Sequence, residues 1–426
     1  MTPDRIFARC AWRLLPLIIA AFIVNFLDRT NVGFAALTMN RDLHFSPSVY
    51  GLGAGIFFLS YSIFQVPANL ILHRFGARRW IATILVAWGA AASATALIRG
   101  PGSYYLVRFV LGAAEAGFFP GIILYLTFWF PKAWLGRATA MFMCGNVASF
   151  VIGGPLASFV LTLDGMAGLR GWQWLFALEG LPACIIGLAV LRLIPDGPAD
   201  AGWLAQDERQ IITSRVRSEN TGKQEKLLAA LLDWRVLLLG FAYGGILFAI
   251  YGFSFWLPLL IQGIGFSNTD TGFVTALVYI AALPVMVLWA RSSDSQDERV
   301  WHAAAAALFA AAALFCASIV HSPALLLVCI AAAAVGIYSV LSPFYGVASS
   351  FLSARALAGA FALINMLGGL IGGFAGQYVI GLLREKSGDY GSALAVMAAA
   401  LVLFALIVIA LRQSAEPIYK RSIPAE

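Results

Sequence analysis

Two ions stand side by side in "FLDRTNVG", Asp28 and Arg29, within an apolar run that starts as "LLPLIIAAFIVN" and continues as "FAAL". A second pair, Arg108 and Glu115, lies in "RFVLGAAEAGFFPG". Arginine keeps its proton and presents a planar fork that fits a carboxylate or a phosphate. A carboxyl group in a low-dielectric setting can exchange a proton near neutral pH. With all four side chains ionised, their charges cancel. An incoming anion then leaves one negative charge uncompensated unless an acid takes up a proton. Proton-coupled anion binding is the chemistry such a set could do. A salt-bridge network that only holds two helices together is the other reading.

Helical geometry constrains these residues further. Consecutive residues on a helix point roughly 100° apart, so Asp28 and Arg29 need separate partners. Arg108 and Glu115, seven apart, share one face two turns apart. At about 1.5 Å per residue, Arg29 lies about 14 Å from the outer end of its segment, Arg108 about 8 Å and Glu115 about 18 Å. Ions inside a membrane span are costly and usually face a cavity or a partner. The other intramembrane ion is Glu179, toward the outer end of the sixth apolar segment; the last six segments hold none in their interiors.

The elements that must position these residues follow from composition. The 426-residue chain is 61% hydrophobic and 12% charged, with a mean hydropathy of +0.85; soluble domains carry about 25% charge. Twelve apolar segments reach the length that a helix needs to cross a bilayer. They run over 14–38, 47–72, 80–99, 103–130, 136–162, 173–194, 235–262, 270–290, 300–319, 324–350, 356–383 and 391–411. Breaks fall at turn-forming stretches such as "SPS", "RGPGS" and "KSGDYG". The expected fold is an all-α membrane protein of twelve transmembrane helices in two six-helix bundles. Residues 1–194 form the first bundle and 235–426 the second with a short tail. The polar stretch 195–234 is a cytoplasmic linker in which "DERQIITSRV" reads as a short amphipathic helix.

Of the 28 Lys and Arg, five (Arg41, Arg99, Arg170, Arg384, Lys386) lie in loops opposite the termini and two, Arg29 and Arg108, lie inside spans. The remaining 21 are on the side of the termini, which the positive-inside rule assigns to the cytoplasm. The net charge of +7 is therefore an orientation signal and not a nucleic-acid footprint. No phosphate-binding loop, spaced Cys or His metal cluster, or assembled nucleophile is present, so neither an enzyme nor a cofactor is expected. The glycine runs "GLGAG" and "GGLIGG" sit in apolar helices and read as sites of close packing. In the second half, neutral contacts could come from Tyr243, Tyr251 and Trp256, from Tyr345, Ser349 and Ser350, and from Asn365.

Together these motifs resemble the major facilitator superfamily, and within it the anion:cation symporter family. "FLDRTNVGFA" is similar to the first-helix signature of that family. "LHRFGARRW" resembles the superfamily's loop between helices 2 and 3, and "RFVLGAAEAGFFPG" its fourth-helix signature. "GWQWLFALEGLP" and "IPDGPADAGWLAQDER" look like further hallmarks. The resemblance implies alternating access around a central site and a substrate that is an organic anion moved with protons through the cell (inner) membrane. A sugar acid, an aromatic acid and a dicarboxylate are the candidates. By family position Arg29 would hold the substrate carboxylate, Asp28 and Glu115 would be the proton carriers, and Arg108 would organise the site. Tyr61, Gln65 and Asn365 match substrate-touching positions. Asn146 and Tyr345 stand where the sugar-acid branch carries Gln and Trp. Arg74, Gly76 and Arg78, with Asp294 in the mirrored loop, would govern the conformational change. The expected state is a monomer in the lipid bilayer. Export or exchange of anionic metabolites or drugs on the same fold is the alternative.

Overall fold

The computed structural model describes residues 3–219, 233–350 and 357–419. Among them no strand occurs; the chain is helical, with twelve helices or helix pairs long and apolar enough to cross a membrane. Several run past the apolar segments read from sequence. Helix α1 spans Pro3–Asp42, because hydrogen bonding continues through the polar ends. Helix α2 (Pro47–Phe75) starts at the proline of "SPS" after His44, whose φ is 53°. "RGPGS" stops one helix and starts another, since proline suits the first helical position, where no N–H partner is needed.

The chain divides into two compact units. One comprises residues 1–38 and 60–223, the other 39–59 and 224–426. The first unit holds most of α1, the end of α2, and α3 (Ala77–Ala94), α4 (Pro101–Glu115), α5 (Phe118–Trp129), α6 (Lys132–Leu161), α7 (Gly171–Leu193) and α8 (Gln206–Glu219). The apolar segment 103–130 is thus a broken helix. Pro120 has no N–H to return to the carbonyl of Ala116, so the ladder is interrupted there. Glu115 is the last residue before the break.

Within this unit α3 packs along α7. A Cβ on Gly89 would come 2.6 Å from the Gly180 carbonyl oxygen, and one on Gly180 would come 2.5 Å from that of Gly89. The two backbones therefore touch directly, as small residues allow in a membrane. Helix α8 falls on "DERQIITSRV". Its Glu208 accepts the Ala205 N–H at 2.9 Å and pairs with Arg9 of α1. Trp203 stacks on Trp129 with centroids 5.8 Å apart, and the Arg13 guanidinium lies 5.2 Å from the Trp203 ring.

The second unit contains α9 (Trp234–Gly263), α10 (Asn268–Ser295), α11 (Val300–Ile319), α12 (Pro323–Ser339), α13 (Leu341–Ser350), α14 (Leu357–Gly368), a π-helical stretch Gly369–Ala375, α15 (Gly376–Ser387) and α16 (Gly391–Tyr419). Both glycine runs lie here and pack as the sequence reading expects. A Cβ on Gly51 would come 2.4 Å from the Gln377 carbonyl oxygen, one on Gly55 2.6 Å from that of Phe374, and one on Gly372 2.3 Å from that of Gly244. The segment 39–59 is therefore held backbone-to-backbone by the helix that carries Gln377.

Candidate functional site

In the first unit the four sequence-selected ions come together. The guanidinium of Arg29 grips Glu115, with Nε donating to Oε2 at 2.7 Å and Nη2 at 2.7 Å from the same oxygen. Asp28 turns to another neighbour and accepts the Trp88 Nε1–H at 2.5 Å on Oδ2. The separate partners required by helical geometry are thus Glu115 of α4 and Trp88 of α3. Arg108 is buried two turns before Glu115, and its charge acts on both Asp28 and Glu115.

Burial distinguishes the two members of the ion pair. The Glu115 side chain is 0% exposed and that of Arg29 10%, so Arg29 is the more accessible member of the pair. Its guanidinium carbon lies 4.8 Å from the Tyr61 ring centroid and 5.4 Å from that of Phe26, distances at which a cation is attracted to a ring face. Gln65 is one turn beyond Tyr61 on the same face of α2 and is half-buried. Asn146 of α6 is half-buried as well, and its carbonyl accepts the Ser149 hydroxyl at 2.6 Å. Phe22 and Phe26 continue into Phe119, Phe142 and Phe150, a run of ring contacts 4.1–6.0 Å apart that joins α1, α5 and α6.

In the second unit Tyr251 packs its ring 4.2 Å from Phe58. The Tyr345 hydroxyl is 2.9 Å from that of Tyr243. Asn365 donates its amide to the carbonyl of Phe361 at 2.9 Å, one turn back on its own helix. Asp294 pairs with Arg299.

Of the loop residues, the Arg74 side chain lies outside the described residues. Gly76 and Arg78 meet Asp196 of "IPDGP". Asp196 accepts the Arg78 N–H at 2.8 Å, and its carboxylate is 3.7 Å from the Arg78 Nε. Gly76 has φ +81°, and a Cβ there would come 2.9 Å from Asp196 Oδ1. Two motifs more than a hundred residues apart in sequence thus share one hydrogen bond at the start of α3. Asp196→Ala leaves that helix start without its acceptor and should lower stability by about 1 kcal/mol, read as a drop in melting temperature, whereas Asp196→Asn should retain most of it.

Sequence reasoning passed over Trp88, Asn25 and Asn31. All three are buried, and Asn25 stands beside Glu115. The available signal was their spacing. Asn25 is three and four residues before the ion pair and Asn31 three after Asp28, which puts amides next to ions on an inward face.

The sequence model described as Major Facilitator Superfamily matches residues 18–377. A protein of Agrobacterium vitis named "Putative tartrate transporter" is 41% identical over 413 residues, 96% of this chain and 92% of its own. The "Quinolone resistance transporter" of Acinetobacter baumannii is 38% identical over 402 residues, 93% of this chain and 92% of its own. The crystal structure of a bacterial homolog of the human lysosomal transporter Spinster superposes with a TM-score of 0.74 at 16% identity, covering 96% of this chain and 97% of that one, a likeness of fold. The chain belongs to the Major Facilitator Superfamily and is a multi-pass transporter of the cell membrane, not an enzyme.

Proposed function

We propose that the protein is a proton-coupled symporter of a small organic anion, working by alternating access as a monomer with both termini in the cytoplasm. The observation that carries this reading is the Arg29–Glu115 ion pair, buried beside Asp28 and Arg108. An ionised Glu115 occupies the fork of Arg29. Protonating Glu115 removes its charge and frees the fork for a substrate carboxylate, so proton and anion bind together. With one proton a monocarboxylate leaves the set electroneutral, and a dicarboxylate does so when Asp28 takes a second proton, which matters because an uncompensated charge in a low-dielectric setting costs several kcal/mol. Arg108 supplies a second fixed positive charge within the same set. A two-headed acid suits two cations, and the relative named for tartrate transport makes tartrate the first substrate to test. Tyr61, Gln65, Asn146, Tyr251, Tyr345 and Asn365 are proposed as polar substrate contacts. Gly76, Arg78, Arg74 and Asp294 are proposed to serve the conformational change.

The test is uptake of labelled tartrate into proteoliposomes with the membrane potential clamped and the lumen alkaline. The expected result is accumulation together with acidification of the lumen; uptake that ignores the pH gradient would overturn proton coupling. The relative named for quinolone resistance favours a second reading, export of anionic metabolites or drugs. Under the same alkaline-lumen gradient, proton-driven efflux of a preloaded fluoroquinolone marks the exporter, whereas a symporter retains its substrate.

A further inference from the structure

Glu179 is the intramembrane acid that the mechanism above leaves unused. It lies on α7, eight residues in from Gly171, a depth of about 12 Å. Its side chain is buried, and neither carboxylate oxygen has a hydrogen-bond partner among the described residues. The charged group acting on it is Asp28 of α1. Helix α7 also carries Cys184, likewise under the influence of Asp28. From α3, Ser93 lies against Gly180 and donates its hydroxyl to the Ala177 carbonyl.

The backbone contact explains why these two acids meet. Gly89 touches Gly180. Each glycine directly follows a polar member of the group: Trp88, which donates to Asp28, and Glu179. The Gly89–Gly180 contact fixes the stagger of α3 against α7, and with it the position of Glu179 relative to Asp28, whose charge reaches it. In this arrangement a buried acid with no hydrogen-bond donor among the described residues is favoured with its proton on. With Asp28, Glu115 and Glu179 the site counts three acids against two arginines, so electroneutrality requires one resident proton even when Asp28 and Glu115 are both ionised.

We propose that Glu179 is a proton-binding site of the transport cycle, which exchanges its proton with Asp28. In the exchange an O–H bond of the Glu179 carboxyl breaks and one forms on a carboxylate oxygen of Asp28. The negative charge moves from Asp28 to Glu179, and no other reactant is consumed. The inference rests on the proton-coupled reading of the protein. It adds a station to the proton path on a helix that supplies no arginine to the cluster.

The test compares wild type with Glu179→Gln in proteoliposomes under a gradient of one pH unit. Each coupled proton multiplies the accumulation ratio by about ten per pH unit, since 1.4 kcal/mol is tenfold. The expected result is an accumulation ratio about tenfold lower in Glu179→Gln, with the tartrate-induced thermal shift retained. A residue that only fills space between α3 and α7 would tolerate the isosteric amide. Wild-type accumulation with a wild-type pH profile therefore overturns the proposal. If Glu179→Gln does not yield folded protein, Glu179→Asp decides: a displaced pH profile supports the proposal and an unmoved one overturns it. Failure of the underlying reading looks different, because wild type itself would then show no accumulation driven by the pH gradient.

Discussion

Arg29→Ala is expected to abolish tartrate binding and to destabilise the protein at the same time. The substrate loses a charge-assisted pair of hydrogen bonds, each worth about 1.5–3 kcal/mol, so affinity should fall by about a hundredfold or more. Glu115 loses its cation in a fully buried place, and breaking a buried pair by removing one partner costs about 3–5 kcal/mol. The two effects come apart in the double variant Arg29→Ala/Glu115→Gln. Removing the orphaned charge should return most of the melting temperature, while tartrate still produces no thermal shift. Arg29→Lys should retain the charge but not the two-pronged fit, and so should bind weakly. A wild-type tartrate shift in Arg29→Ala would show that the anion is held elsewhere.

Glu115→Gln is expected to separate binding from energy coupling. On the proposed cycle, Glu115 reclaims Arg29 once it has given up its proton, so the apparent dissociation constant for tartrate should rise with pH. Glutamine cannot ionise and forms a weaker partner for the guanidinium. In the variant, affinity should therefore be flat across pH 5–9 and no weaker than wild type at the alkaline end. Accumulation under a one-unit pH gradient should fall about tenfold for each coupled proton lost. Binding isotherms at several pH values, together with vesicle uptake, read both quantities. Retention of full proton-driven accumulation by Glu115→Gln would remove Glu115 from the coupling path and leave Asp28 and Glu179 as the remaining acids.

Both results depend on a division of labour that helix geometry imposes on neighbouring residues. Asp28 and Arg29 are adjacent in the chain, yet one faces Trp88 of α3 and the other Glu115 of α4. On the proposed reading, an anion arriving at Arg29 would therefore compete with an acid from another helix, not with its own neighbour. The broken span contributes as well. Glu115 closes α4 just before the ladder is interrupted at Ala116 and Gly117, where irregular backbone within a membrane is tolerated because protein surrounds it.

The twelve spans, the all-α class and the short list of ions were legible in the sequence. Span length answers to bilayer thickness, and a charge within an apolar run stands out because burying it is costly. Helical periodicity also sufficed to show that Asp28 and Arg29 need different partners. Tertiary structure alone decided who those partners are. Pairing Arg29 with Glu115, and Asp28 with Trp88, depends on how α1, α3, α4 and α7 are rotated and staggered against one another. That packing is set at contacts such as Gly89 against Gly180, between residues far apart in the chain. The same holds for the grouping of 39–59 with the second unit and for Asp196 at the start of α3. A periodic pattern states which face of a helix turns inward, while the neighbour it meets is chosen by the close packing of whole helices.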